Sequence, residues 1–154
     1  MTGPAERLAA LGLTLPPVAA PVAAYVPAVL AGGLGYTSGQ LPTVDGKLPA
    51  IGKVGGEVSA AEAAGLARTC ALNAIAAAAA AAGGLDAISR IVKVTGFVAS
   101  APGFSGQPQV VNGASELLIE VFGEDGTHAR SAVGVAELPL NAPVEVELIA
   151  QIRS

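Results

Sequence analysis

The sequence has very few of the residues that carry metal or redox chemistry in proteins. Cys70 is the only cysteine and His128 the only histidine among 154 residues. A single cysteine excludes an intrachain disulfide, and the two residues together exclude a Cys- or His-based metal cluster within one subunit. We therefore expect the hydrophobic core alone to hold the fold, in the reducing setting of the cytoplasm.

Aromatic and charged residues are also scarce. They make up 3% and 13% of the chain, and the net charge is −4. Binding to nucleic acid normally needs a basic stripe that neutralises phosphates and aromatic faces that stack on bases. The eight basic residues are instead scattered from Arg7 to Arg153 without a cluster. Nucleic acid is therefore not an expected partner.

Two long runs lack charge, but neither predicts a membrane span. The first covers residues 8–44 and is broken by Pro16, Pro17, Pro21 and Pro27, which no continuous helix tolerates. The second covers residues 69–85 and is mostly alanine. The N-terminus lacks the basic flank of a secretion signal. We expect a soluble protein that does not bind membranes.

The order of local patterns predicts one α+β domain. Residues 1–24 form an extension with a short helix and a Pro/Ala loop, followed by a domain over residues 25–154. A capping box at Ser59 and Glu62 begins a long helix that ends at Gly83. Around it, two short strands, a strand, a helix and two strands are predicted at residues 28–40, 88–99, 108–122, 129–138 and 144–152. The ββ-α-β-α-ββ order favours a mixed sheet with both main helices on one face.

Alternation in the last two strands predicts which side chains face the helices. Val144, Val146, Leu148 and Ala150 would face them, and Glu145, Glu147 and Ile149 would not. In the strand before, Val133 and Val135 are assigned to the helix side, which leaves Arg130, Ala132 and Gly134 on the uncovered face beside Glu145. Such a half-apolar face favours a homo-oligomer, although an ordinary solvated antiparallel face is the alternative.

Three polar residues could carry chemistry. Arg130 could hold a carboxylate through two parallel hydrogen bonds, or be a solvated arginine at a strand edge. Glu145 could orient or deprotonate a water, or form a surface salt bridge. His128 would share a face with Arg130, but one histidine without a visible nucleophile is more often structural.

Other local patterns exclude familiar active sites. The segment around Ser38 is not the G-x-S-x-G elbow of serine hydrolases. The glycines at residues 32–35 are not a phosphate loop, because no Gly-Lys-Ser/Thr follows. Ser38 and Gly39 at a strand end could still line a pocket, and Cys70 is expected to be buried packing.

Four segments together resemble the Rid family, the reactive intermediate deaminases also called YjgF-like proteins. The resemblance covers residues 25–153. The segments are Tyr36-Thr-Ser-Gly-Gln-Leu-Pro42, Val92-Lys-Val-Thr-Gly-Phe-Val98, the Val111-Asn112 helix start, and Ala129-Arg-Ser-Ala-Val-Gly-Val-Ala-Glu-Leu-Pro139 with Val144-Glu-Val-Glu-Leu-Ile-Ala150.

This resemblance implies a chorismate-mutase-like fold and a homotrimer whose sheets form a central barrel, with ligand pockets between subunits. It implies hydrolysis of reactive enamines and imines such as 2-aminoacrylate to 2-keto acids and ammonia, without a metal or organic cofactor. Arg130 matches the family's carboxylate-binding arginine and Glu145 the acid that positions water. The positions that match pocket-lining residues are Tyr25, Ser38, Gly39 and Asn112.

The sequence also departs from the family pattern. Many members carry a cysteine where this chain has Ala132, and residues 1–24 and 102–107 are longer than in the short members. Two other functions therefore stay open. One is a non-catalytic module that binds small keto or amino acids, and the other is an endonuclease for single-stranded RNA.

Overall fold

The computed structural model describes residues 2–18, 20 and 23–154. Within these residues five strands form one sheet in the order β1-β2-β5-β3-β4. The strands are β1 Ala28–Ala31, β2 Leu34–Thr37, β3 Ile88–Ala99, β4 Ala129–Val135 and β5 Val144–Ile152. The helices are α1 Pro4–Ala10, α2 Ala60–Ala82 and α3 Gln107–Phe122.

The sheet is mixed because of one crossover. Helix α3 connects β3 to β4, and these two strands pair in parallel. All other pairs are antiparallel, and β5 returns between β2 and β3. A parallel pair needs a crossover of this kind, whereas antiparallel neighbours can be joined by short turns. The predicted element order and α+β class are confirmed.

Helix α2 is the core of the domain. Ser59 Oγ accepts a hydrogen bond from the Glu62 amide at 3.1 Å, and the helix ends at Gly83, whose φ is 94°. The helix is long and apolar enough to cross a bilayer, but 61% of its most apolar window is buried inside the chain. Its alanines let it lie close to the sheet and to α3, since they project little beyond the backbone.

Helices α2 and α3 touch at the backbone. A Cβ atom on Gly113 of α3 would collide with the carbonyl of Ala64 on α2, and one on Gly96 of β3 would collide with Val111. Glycine at these positions permits an approach that any side chain would block. Helix α3 therefore packs closely against both α2 and the sheet. This packing fixes the position of the helix relative to β4.

The predicted faces are correct for β5 and wrong for β4. Val144, Val146, Leu148 and Ala150 are buried under the helices. Strand β4, however, places Arg130 beside buried Val94, so Arg130, Ala132 and Gly134 face α3. Val133 is 43% exposed on the uncovered side. Apart from Arg130, both sets of β4 residues are small or apolar, so alternation alone did not distinguish the faces.

The N-terminal segment packs on the helix layer. Leu8 of α1 is buried, and the Ala5 amide donates to Asp86 Oδ1 at 3.0 Å. Leu13 and Leu15 also pack against the core. Ala19, Pro21 and Val22 of the predicted Pro/Ala loop lie outside the described residues. Strand β4 ends at Val135, earlier than predicted, and a 3-10 turn at Pro139–Asn141 leads to β5.

Candidate active site

Arg130 is held against α3 by three hydrogen bonds. Its Nη1 donates to Asn112 Oδ1 at 2.7 Å and to Ser115 Oγ at 3.3 Å, and its Nη2 donates to the Pro108 carbonyl at 3.4 Å. Positions 108, 112 and 115 are spaced by four and three residues, so they lie on one face of the helix. The first three turns of α3 therefore form a cradle for the guanidinium.

These contacts leave one edge of the guanidinium available. An arginine has five N–H donors, two on each terminal nitrogen and one on Nε. In the described part of the chain Nη1 uses both of its hydrogens and Nη2 one, while Nε has no partner. Nε and the second hydrogen of Nη2 can therefore bind a carboxylate through two parallel bonds. This geometry favours the anion-binding interpretation over a solvated arginine.

The contact with Ser115 was not predicted from the sequence. Ser115 is 9% exposed and also lies 2.9 Å from His128 Nε2. The His128 Nδ1 atom lies 2.6 Å from the Gly126 carbonyl. The available signal was helical spacing, because Ser115 is three residues after Asn112 and so shares its face.

The other predicted site residues form a second cluster. Ser38 Oγ donates to the Val26 carbonyl at 2.6 Å, which ties the strand end to the segment containing Tyr25, a residue that is 52% exposed. Gly39 lies directly against Glu145, since a Cβ on Gly39 would collide with the Glu145 carboxylate. The structure thus brings Tyr25, Ser38, Gly39 and Glu145 into one region of the chain.

Glu145 is half-buried and carries a perturbed carboxyl group. Burial raises its pKa above the ordinary value, and the like charge of Glu147, two residues along β5, raises the pKa further. Removal from water disfavours the charged form of an acid. A carboxylate with a raised pKa is a stronger proton acceptor once ionised, which suits a group that takes a proton from water.

Within one chain, Arg130 with its partners on α3 lies apart from the cluster that contains Glu145. Phe97 of β3 pairs with Glu145 on one side and with Val133 on the other, and Arg130 is three residues before Val133. Strand spacing and rise place the Cα atoms of Arg130 and Glu145 roughly 14 Å apart. Glu145 projects from the uncovered face and Arg130 toward α3. The prediction that the two share a face is therefore wrong.

The uncovered face presents exposed apolar side chains. Val29, Tyr36 and Val133 are 51%, 42% and 43% exposed, and Tyr36 pairs with Ile149. No described helix covers this side of the sheet. Among residues 2–18, 20 and 23–154, no group of three or more His, Cys, Asp or Glu side chains is placed to hold a metal ion.

The fold and the site define a class of protein. It is an α+β domain with a one-sided mixed sheet, a pinned arginine at an edge strand, and a half-buried glutamate on the open face. A family model described as "YjgF/chorismate_mutase-like, putative endoribonuclease" matches residues 5–152. The chain belongs to this YjgF/chorismate-mutase-like family, as its sequence segments predicted.

Known proteins agree with this membership along almost the whole chain. Protein TCP17 from Trypanosoma cruzi is 44% identical over 151 residues, covering 97% of this chain and 94% of that protein. A crystal structure from Shewanella oneidensis MR-1, which carries the same endoribonuclease description, has a TM-score of 0.94 at 37% identity and covers 98% and 100% of the two chains. Escherichia coli TdcF, solved with bound serine, has a TM-score of 0.65 at 27% identity and covers 89% and 94%.

Proposed function

We propose that this protein hydrolyses reactive enamine and imine intermediates of the 2-aminoacrylate type to 2-keto acids and ammonia. The observation that carries the proposal is the guanidinium of Arg130, which α3 holds at Nη1 while its Nε–Nη2 edge stays available for a carboxylate. A clamp of this kind selects small carboxylates and fixes the reacting carbon relative to the protein. The resemblance of its sequence segments to the Rid family implies the same substrate class.

The complete site would form between copies of the chain. Arg130 and Glu145 lie too far apart, and on opposite faces, to act on one small substrate within a chain. The uncovered face that carries Glu145 also has the exposed apolar residues that a subunit contact would bury. A homotrimer would let Arg130 and Asn112 of one copy meet Glu145, Gly39, Ser38 and Tyr25 of the next.

The chemistry needs few groups. An enamine such as 2-aminoacrylate tautomerises to the imine, whose carboxylate binds Arg130. Glu145 accepts a proton from a water molecule while the oxygen of that water adds to the imine carbon. Glu145 then passes the proton to the nitrogen. The hydroxyl hydrogen of this adduct then moves to nitrogen as the carbonyl forms and the carbon–nitrogen bond breaks, so one water and one imine give one keto acid and one ammonia. Such hydrolysis is intrinsically easy, so orientation and one base suffice.

A relative supports a carboxylate ligand. The TdcF structure contains bound serine, an amino acid whose α-carboxylate matches the charge and size that Arg130 would accept. Serine also resembles the proposed substrate class in its three-carbon skeleton. The same ligand chemistry is expected at the Arg130 clamp of this chain.

A direct assay tests the proposal. An amino-acid oxidase acting on alanine produces 2-iminopropionate, whose decay is followed with and without the protein. We expect faster loss of the imine, with ammonia and pyruvate formed in equal amounts. Decay at the background rate, by a protein that still binds pyruvate in calorimetry, would instead identify the non-catalytic binding module.

The endoribonuclease description of the family and of the Shewanella protein favours a second candidate function. Cleavage of single-stranded RNA needs basic groups along the RNA path. The chain has a net charge of −4 and its eight basic residues are dispersed. Incubation with labelled single-stranded RNA tests this candidate, and cleavage that disappears in Arg130→Lys would support it.

A further inference from the structure

We propose that Ser115 and His128 are positioning residues that connect the Arg130 guanidinium to the backbone through a directed relay of hydrogen bonds. The relay runs from the Gly126 carbonyl through His128 and Ser115 to Nη1 of Arg130. Its structural part depends only on the contacts within this chain. Its use in orienting a substrate rests on the function proposed above.

For an imidazole that carries one hydrogen, the direction of every bond in the relay follows from the two ends. The Gly126 carbonyl can only accept, so the hydrogen of the neutral imidazole is on Nδ1 of His128. Nε2 then carries the lone pair and accepts the hydroxyl hydrogen of Ser115. The Ser115 oxygen is left as an acceptor, which is what Nη1 of Arg130 requires, because a guanidinium only donates. The three bonds are 2.6, 2.9 and 3.3 Å long.

The backbone end of the relay is rigid. Gly126 closes the 3-10 turn after α3 and is buried against that helix, where a Cβ would collide with the Leu118 carbonyl. The relay therefore ties together the turn, the third turn of α3 and the start of β4. A hydroxyl on α3 could rotate toward the helix carbonyls, and Nε2 of His128 holds it in the orientation that accepts from Arg130.

The relay determines which edge of Arg130 faces the ligand. Asn112 Oδ1 takes one hydrogen of Nη1 and Ser115 Oγ takes the other. Because both N–H groups of Nη1 are held by acceptors, the guanidinium plane cannot rotate freely. The Nε–Nη2 edge therefore keeps one orientation. Among the residues that the structure describes, loss of the Ser115 hydroxyl would leave Asn112 as the only side-chain partner of Nη1.

Nuclear magnetic resonance tests the relay without any assay of activity. His128 is the only histidine, so the imidazole nitrogen signals of the full assembled protein have one origin. We expect the Nδ1–H tautomer, and a change at Nε2 in Ser115→Ala. A hydrogen on Nε2, alone or together with one on Nδ1, or signals unchanged in Ser115→Ala, would overturn the relay.

Calorimetry with pyruvate tests what the relay does for Arg130. We expect Ser115→Ala to weaken pyruvate binding by about 3- to 10-fold, the range for one net hydrogen bond. His128→Phe should cause a similar loss, and the double variant should be no weaker than either single variant because both act through one contact. Thr69→Ala, which removes another helix hydroxyl (bonded to the Gly65 carbonyl), is the matched control.

Introducing Ser115→Ala into the Arg130→Lys variant distinguishes a positioning role of Ser115 from an effect on folding. Lysine has no planar Nη1, so Ser115→Ala should change pyruvate affinity no further there. Equal losses in both backgrounds, or additive losses in the Ser115→Ala/His128→Phe pair, would overturn the positioning role. A wild-type protein that does not bind pyruvate would contradict the proposed function, while the imidazole spectrum would still decide the relay.

Discussion

At the scale of single residues, the shape of Arg130 matters as much as its charge. Asn112 and Ser115 occupy one end of a planar, five-donor group and leave the other end for ligand. The residue type and position of this arginine were predictable from the sequence. The side of the sheet it faces was not, because Ala132 and Gly134 fit either side and the parallel partner β3 is distant in sequence.

Arg130→Lys should cripple function while the oligomer survives. Lysine keeps the charge but loses the bidentate fork and the contacts that orient it, at a cost of roughly 2–3 kcal/mol, or about 30- to 150-fold in kcat/KM. The imine-hydrolysis rate measures this. Arg68→Lys is the control, since Arg68 makes a bidentate pair with Glu120 at 3.2 and 3.0 Å on the helix surface. Wild-type rates in Arg130→Lys would make Arg130 structural.

Glu145→Gln separates binding from chemistry. Glutamine keeps the shape and one acceptor oxygen but cannot take a proton, so kcat should fall by roughly 10²-fold. Affinity for pyruvate should change little, because Arg130 still holds the carboxylate. Calorimetry beside the rate measurement decides this. A loss of pyruvate affinity as large as the loss of rate would show that Glu145 orients the arginine of a neighbouring copy, and an unchanged rate would remove Glu145 from the mechanism.

Glu147→Gln should shift the acid limb of the pH–rate profile. The proposed base Glu145 can take a proton only when ionised, so activity should be lost as pH falls through its raised pKa. The charge of Glu147 contributes to that rise, so its removal should lower the pKa and move the limb toward lower pH. Rates measured across the acid range test this. A limb that stays in place, or moves upward, would contradict the assignment of the base.

At the scale of elements, helix packing positions the site. The bounds of α2 were predictable because Ser59 caps it and Gly83 ends it, both through local contacts. The close approach of α3 to α2 at Gly113 was not predicted, since a glycine in a helix does not reveal which backbone it touches. Sequence periodicity predicted helix α3. Only the fold shows that the first turns of this helix hold Arg130.

Two glycine variants test that packing. Gly113→Ala would drive a methyl group into the Ala64 carbonyl, and we expect a loss of about 1–3 kcal/mol or more in the free energy of unfolding. Gly65→Ala on α2 is the matched control, because its Cβ would meet nothing within 4 Å. It should stabilise the protein by about 0.5–1 kcal/mol. Urea titration of both variants measures the difference, and equal stabilities would contradict the close packing.

At the scale of the whole molecule, the uncovered face of the sheet is an apolar surface that no described helix covers. Its apolar residues Val29, Tyr36 and Val133 are about half exposed, and Glu145 lies on the same side. Alternation in β5 predicted this face correctly. Which residues of another copy would meet it could not be predicted, because contacts between chains leave no periodic signal. Sedimentation should report about three times the 14.9 kDa subunit mass.

Subunit mixing tests most directly the claim that Arg130 and Glu145 act in one site contributed by two copies. Arg130→Lys and Glu145→Gln chains, each nearly inactive, are unfolded together and reassembled at equal concentrations. A site between copies can then receive Arg130 from one variant and Glu145 from the other. Random assembly should restore about one quarter of the wild-type imine-hydrolysis activity. Mixed oligomers that assemble with the wild-type mass but stay as inactive as the two separate variants would contradict a shared site.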